Sequence, residues 1–232
     1  MVSYEATITD GYQGKVDVMI AIGDNQASFL GAMKGDYDKV LVNVGTGSQV
    51  SIFTERYMMV DGLETRPMAG GGYLLAGASL CGGRAYALLE KFFRQVGAML
   101  GVEQDSCYEY MTKLLGEHDK PDNLPKTVPL FQGTRQDSSL TGSITGITVE
   151  NLTPLHLIWS MMEGMAEELY QIYCQYLQAG GERQMLLGSG NGLQKNKCLQ
   201  ACFEEVFGCE WKLSDCQEEA AIGAAIFAGK RP

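Results

Sequence analysis

Three short apolar runs in this chain each end at a glycine-rich turn, and that recurrence restricts the fold more than any other feature. Val40-Leu41-Val42-Asn43-Val44 runs into Gly45-Thr46-Gly47-Ser48, Tyr73-Leu74-Leu75-Ala76 into Gly77-Ala78-Ser79-Leu80 and Gly82-Gly83, and Met185-Leu186-Leu187 into Gly188-Ser189-Gly190-Asn191-Gly192. Short apolar runs bounded by turn residues read as buried strands. The first turn leads straight back into Gln49-Val50-Ser51-Ile52-Phe53 and so reads as a hairpin. The other two lead into helical patterns, one to about Met99 and one over residues 194–207. Where strand ends meet helix starts, free amides and the helix dipole favour anions, and glycine lets a ligand come close to the backbone. One such turn alone more often just reverses the chain, and 29 glycines make turns common here. Three in the same strand-end context point to a nucleotide cradle.

The remaining elements fit around this frame. Residues 16–23 hold Val18-Met19-Ile20-Ala21-Ile22, a further β-compatible run that stops at Gly23-Asp24, after which Asp24 or Asn25 would cap a helix through Met33. Residues 101–152, richer in Asp, Pro, Ser and Gly, would wrap the surface with one helix near 108–115. Thr153-Pro154 opens a long helix, with Thr as cap and Pro in the first turn, where its missing N–H costs nothing. Ile158, Met161, Met162, Met165, Leu169, Ile172, Tyr173 and Tyr176 keep helical period as a core stripe, and Gly180-Gly181 closes the helix. Glu163, Glu167 and Glu168 would be its solvated face. Trp211-Lys212-Leu213 reads as a short strand, and Ser214 with Gln217, or Asp215 with Glu218, as a capping box for a small-residue helix over 219–228. Without a repeat, low-complexity tract or long linker, the economical reading is one α/β domain over residues 1–232.

At 232 residues, 45% hydrophobic and 20% charged, the chain can build a packed core. Its net charge of −10 argues against nucleic acid or an anionic membrane as partner, since both need a basic surface. ATP is compatible with that charge where local amides, a few cations and a bound metal supply the positive field. No run approaches the roughly 18–20 apolar residues of a membrane span. The first residues lack a signal peptide's basic start and apolar centre, so a cytoplasmic protein is expected. Seven cysteines at irregular spacing read as reduced thiols. Cys198 and Cys202 lie four apart, yet no second Cys/His pair completes a metal site, and plain buried cysteine is favoured. His118 and His156 stand near no Ser or Cys with triad logic and read as surface or capping residues.

Asp24, ahead of the Gly45-Thr46-Gly47 turn, adds a possible chemistry. A carboxylate can accept a proton from an attacking alcohol, while loop amides and the Thr46 hydroxyl hold phosphate oxygens, as phosphoryl transfer requires. The alternative for Asp24 is a helix cap. A cap tolerates Asn or Ser, whereas proton acceptance needs a carboxylate.

From about Val16 to Ala228 these segments resemble the C-terminal domain of the FGGY carbohydrate kinases. The match rests on Gly23-Asp24-Asn25-Gln26-Ala27-Ser28, Gly45-Thr46-Gly47-Ser48, Tyr73-Leu74-Leu75-Ala76-Gly77-Ala78-Ser79-Leu80, Gly188 to Asn196, and Glu218-Glu219-Ala220-Ala221-Ile222-Gly223-Ala224-Ala225. Within the family it is most similar to the sedoheptulokinase branch, through the Gly-Asp-Asn-Gln-Ala-Ser wording, the Gly-Ser-Gly loop and Gly142-Ser143-Ile144-Thr145-Gly146. The resemblance implies an actin-like ATPase (ribonuclease H-like) α/β domain, a mixed sheet with flanking helices. It implies phosphorylation of the terminal hydroxyl of a sedoheptulose-like ketose, with ATP and Mg2+ as donor. On that basis Asp24 would be the general base, with Asn25 and Gln26 near the sugar. Thr46 and Gly47 would touch the terminal phosphates, Gly77 and Leu80 would pack beside the nucleotide, and Gly190, Asn191 and Asn196 would border the adenosine. No residue of this chain is assigned as a metal ligand. Gly133-Thr134-Arg135 resembles the family's Gly-Glu-Arg turn with Thr for Glu, which leaves the role of Arg135 open.

Such kinases hold ATP and sugar between two actin-like domains, and the resemblance covers only the second. The chain is therefore expected to lack the N-terminal kinase domain and to be inactive alone, because in-line transfer needs both reactants aligned in a closed cleft. The face that would meet the missing domain is expected to carry exposed apolar residues and to favour self-association. The alternatives are a kinase for another sugar, such as xylulose, and a non-catalytic actin-like nucleotide-binding or interaction module.

Overall fold

A computed structural model describes residues 5–6, 16–17 and 21–229 of the chain. Two short strands, β1 (Glu5–Ala6) and β2 (Val16–Asp17), pair antiparallel. The strand expected over 18–22 lies mostly outside the described residues, and Ala21 and Ile22, which are described, are not in a strand. Helix α1 (Asp24–Met33) follows, with Gly23 at its N-cap in an extended conformation and no capping side chain. Neither Asp24 nor Asn25 is the cap: the chain turns one residue earlier than expected.

A six-stranded mixed sheet organises the rest. It contains β3 (Lys39–Val44), β4 (Ser48–Thr54), β5 (Glu64–Pro67), β6 (Tyr73–Ser79), β9 (Met185–Ser189) and β10 (Trp211–Leu213), in the order β10-β9-β3-β4-β6-β5. The hairpin β3–β4 and its neighbours β6 and β5 run antiparallel, whereas β9 and β10 lie parallel to β3. The intervening elements are α2 (Gly82–Met99), α3 (Tyr108–Glu117), β7 (Lys126–Val128), β8 (Ser143–Thr145) and α4 (Pro154–Gln178). After β9 come α5 (Asn191–Lys195) and α6 (Lys197–Phe207), and after β10 comes α7 (Glu219–Gly229).

The period-two alternation of the strands sends side chains to two cores. Val40, Val42 and Val44 of β3, Leu75 of β6 and Leu186 of β9 face α2, α4 and α6, where Met162, Leu169, Tyr173, Phe203 and Phe207 fill the space. Their neighbours Leu41, Leu74 and Leu187 face the other way, onto Phe29, Leu30 and Met33 of α1. Helix α7 pairs with α1 through glycines. A Cβ on Gly31 would lie 1.9 Å from the Glu219 carbonyl oxygen, and one on Gly223 would lie 1.7 Å from that of Ala27.

Several local expectations change. Strand β5 and the β7–β8 hairpin form where only loop was read. The helix expected over 194–207 is two, because Asn196 leaves helical geometry and its Oδ1 accepts the Leu199 N–H (3.1 Å) as the cap of α6. The capping box does not form: α7 starts at Glu219, and the Ser214 hydroxyl instead accepts the Cys216 N–H in the preceding turn (3.3 Å). On α4 the Thr153 cap and Pro154 stand as expected. Two of its glutamates are not simply solvated, since Glu163 pairs with Lys120 (2.5 Å) and Glu168 takes a hydrogen bond from Ser79. His156 bonds Thr153 and Asn123 beside the α4 start, and His118 ends α3.

Candidate functional site

Strand register brings the three glycine turns to one end of the sheet. Val44 pairs with Ser48, Ser48 with Ser79, and Asn43 with Ser189, so β3, β6 and β9 all finish together. The turns then interlock. The Gly83 N–H donates to the Gly45 carbonyl (3.0 Å) and the Arg84 N–H to that of Thr46 (3.1 Å). A Cβ on Gly83 would lie 2.3 Å from the Gly45 oxygen. Gly190 sits at φ +85°, where a Cβ would lie 2.6 Å from the Val44 oxygen. These glycines therefore let the turns approach one another, as well as anything bound there.

This spends some of the expected anion donors. The first amides of α2 serve the Gly45 and Thr46 carbonyls, and the Gly45 N–H donates to the Gly47 carbonyl (2.9 Å). Among the described residues, no acceptor takes the N–H of Thr46 or Gly47, and both residues are exposed. They are the part of the loop that faces out, and Arg84 stands beside them.

A cleft of about 1030 Å³ opens over this junction. Gly45, Thr46, Gly83 and Arg84 form one side, and Asn191, Gly192, Lys195 and Asn196 another. The third wall is Tyr86 of α2 with Tyr108, Thr112 and Lys113 of α3, the one helix expected in the surface-wrapping stretch 101–152. The two tyrosine rings stack with centroids 6.1 Å apart, and the Cys107 N–H donates to buried Glu90 of α2 (2.8 Å), which fixes the start of α3. Burial pushes the Tyr86 phenol up to about 12, so it stays a neutral hydrogen-bonding group. Arg84, Lys113 and Lys195 set three cations against Glu109 in the lining, and Lys113 also pairs with Glu117 (3.7 Å).

The expected site residues divide by position. Thr46, Asn191 and Asn196 line the cleft, and Gly47 and Gly190 adjoin it in the same turns. Asn196 engages both ends of its amide: Oδ1 caps α6, and Nδ2 donates to the Met162 sulfur (3.4 Å) and stands beside the Tyr86 phenol. Gly77 and Leu80 are not in the lining. Gly77 is buried within β6, where a Cβ would lie 2.2 Å from Ile172 of α4, because β6 runs on to Ser79 instead of stopping at Ala76. Asp24, Asn25 and Gln26 are outside the lining too, on the helix that covers the other sheet face. Asp24 is exposed, and its Oδ1 accepts the Asn25 N–H (2.8 Å), a first-turn position that suits negative charge. Arg135 pairs with Glu64 of β5 (2.8 Å), tying its loop to the sheet.

A half-buried carboxyl, Glu168, and a buried one, Glu219, lie behind the turns, where periodicity alone places neither. Glu168 of α4 accepts from the Ser79 hydroxyl (2.8 Å), and Glu219 stands beside the Ser214 and Ser189 hydroxyls. Burial raises both above the usual carboxylate range, and the neighbouring hydroxyls only partly offset it. The signal that could have found them is their place next to strand-end serines, which emerges only in three dimensions. All seven cysteines are free. Among the described residues no group of three or more His, Cys, Asp or Glu side chains could hold a metal ion, and no helix is long and apolar enough to cross a membrane.

Comparison with known proteins bears on this arrangement. Human sedoheptulokinase is 27% identical over 227 residues, covering 92% of this chain and 46% of that protein. The crystal structure of xylulose kinase from Bifidobacterium adolescentis superposes with a TM-score of 0.73 at 22% identity, over 94% of this chain and 41% of that one. Plasmodium falciparum glycerol kinase, solved with ADP, gives 0.73 at 21%, over 93% and 42%. The chain thus has the actin-like ATPase fold and spans less than half the length of these relatives. Residues 40–231, which carry the sheet and all three converging turns, match the FGGY family of carbohydrate kinases, C-terminal domain, and it is to that family that the chain belongs.

Proposed function

We propose that this chain is the nucleotide-binding half of an ATP-dependent sugar kinase that phosphorylates the terminal hydroxyl of a ketose, sedoheptulose by its nearest wording. The observation that carries the reading is the convergence of three glycine turns on one open cleft, with Thr46, Gly47 and Arg84 facing out at its base. Thr46 and Gly47 amides hold the outer phosphates of ATP, and Asn191 and Asn196 border the nucleoside end. Because two of the α2 amides are already committed, Arg84 takes a larger share of the phosphate charge. Mg2+, when bound, neutralises phosphate charge. An ion of this kind is carried mainly by phosphates and water.

Asp24 is the general base. Its carboxylate takes the proton of the terminal sugar hydroxyl as that oxygen bonds the γ-phosphorus and the bond to ADP breaks. It does so from the rim, where a second domain bearing most of the sugar contacts closes over the cleft. The exposed residues of α7 support such a second body: the helix has no polar residue after Glu219, yet Ala220, Ala221, Ile222, Ala224 and Ala225 face solvent. Without that domain the chain is inactive, self-associates and works, when complete, in the cytoplasm.

The test supplies the N-terminal domain of a sedoheptulokinase in trans and measures ATP-dependent sugar phosphorylation. Wild type should turn over, and Asp24→Asn should lose about a hundredfold or more. An Asn variant as active as wild type would leave a nucleotide-binding module without chemistry. Sedoheptulose, xylulose and glycerol as parallel acceptors separate the sugar assignments. A strict monomer in sedimentation at high concentration would remove the self-association.

A further inference from the structure

The turn after β6 is fixed by a short chain of hydrogen bonds that ends on a carboxyl. The Cys81 N–H donates to the Ser79 hydroxyl (3.2 Å), and that hydroxyl donates to Glu168 Oε2 (2.8 Å). Ser79 is buried, is the last residue of β6 and pairs with Ser48, the residue that follows the Gly45-Thr46-Gly47 turn. Two and three residues beyond Cys81, the Gly83 and Arg84 amides hold the Gly45 and Thr46 carbonyls. Met165, one turn before Glu168 on α4, lines the cleft itself.

We propose that Glu168 is a positioning residue for the cleft: through the Ser79 hydroxyl it orients the Cys81–Arg84 turn, and through that turn it sets the exposed amides of Thr46 and Gly47. This rests on reading the cleft as the nucleotide site. The chemistry explains why a carboxyl is used. A serine hydroxyl has one proton and can rotate; a carboxyl oxygen that accepts its hydrogen bond fixes that rotation and leaves the hydroxyl's lone pairs to the Cys81 N–H. An apolar side chain at 168 would leave the Ser79 hydroxyl without an acceptor, and the turn would lose its fixed direction. Stability alone does not account for the residue, because a half-buried carboxyl is costlier to bury than a leucine. Glu219 stands beside the Ser189 hydroxyl, which ends β9 ahead of the Gly190-Asn191 turn.

The experiment compares wild type, Glu168→Leu, Glu168→Gln and Ser79→Ala in this chain, by amide exchange over residues 45–48 and 79–84 and by calorimetric titration with ADP. Leucine at 168 and alanine at 79 should each speed exchange of the hydrogen-bonded Gly45, Cys81, Gly83 and Arg84 amides by about tenfold, with exchange across the Phe203 core unchanged, and weaken ADP by about fivefold. Glutamine, whose amide oxygen still accepts, should restore both to within about twofold. If Glu168→Leu does not fold, Ser79→Ala and Glu168→Gln decide the matter. Wild-type exchange in the leucine and alanine variants would overturn the proposal. Absence of ADP binding to wild type would instead overturn the nucleotide reading, and the exchange data would still judge Glu168.

Discussion

The two faces of the central sheet are filled by different means. On the α2–α4–α6 side, large side chains do the packing: Phe203 and Phe207 stack with centroids 5.8 Å apart, and Tyr173 lies 5.7 Å from Phe207. On the α1–α7 side, two backbones meet through Gly31 and Gly223, and there is almost no side-chain layer between the helices. The first arrangement is a deep core that is complete in itself. The second is thin and ends in a helix that is apolar on every side yet largely exposed, the opposite of what such a helix does when nothing further covers it. The three glycine turns belong to the finished side, and Asp24 to the unfinished one. On the kinase reading, the chain is self-sufficient where it holds ATP and dependent where chemistry occurs.

That contrast can be broken by mutation. Phe203→Ala empties a fully buried position in the side-chain core and should cost about 3–5 kcal/mol in chemical denaturation. A loss below about 1 kcal/mol would show that this side is loosely packed. Gly223→Ala places a methyl against the Ala27 carbonyl, where neither helix has a side chain to move aside, and should cost about 1–3 kcal/mol. A neutral effect would mean that α7 can slide, so the backbone contact would not be a constraint.

A third measurement sharpens the comparison through pH. Burial raises the Glu219 carboxyl, so the folded chain holds that proton more tightly than the unfolded one. Its stabilising share is complete below the ordinary glutamate value of 4.5 and is lost as pH rises through the higher folded value. Glu219→Gln cannot ionise, so its thermal midpoint should fall less than that of wild type between pH 4.5 and neutrality. Parallel curves for the two proteins would show that Glu219 ionises as freely in the folded chain as in the unfolded one.

Much of this was legible in the sequence, and the misses share a cause. Strand runs, the Gly45-Thr46-Gly47 hairpin and the Thr153-Pro154 helix start are local signals, and they hold. The strand read over Tyr73–Ala76 runs further, because pairing with β4 continues through Ser79, and this turns Gly77, which the family resemblance sets beside the nucleotide, toward Ile172. Helix α3 forms where it is expected, but its polar composition hides its place in the cleft wall, since Tyr108, Thr112 and Lys113 line a cleft while remaining on the surface of the fold. Glu168 and Glu163 look like a solvated helix face from periodicity alone, and only the strand end and Lys120 opposite them show otherwise. Asn196 carried a readable signal: an amide ahead of an apolar run is a helix start, and the continuous pattern over 194–207 masked it.

One feature of the sheet reaches further than its own neighbours. Strand β3 is flanked by a parallel partner on one side and an antiparallel one on the other, so it is the shared datum from which every loop at that end takes its height. A slip of a single residue there would exchange Val40, Val42 and Val44 with Leu41 and Asn43 and shift all of those loops together. The alignment of that whole edge of the sheet is in this sense inherited from the register of one six-residue strand.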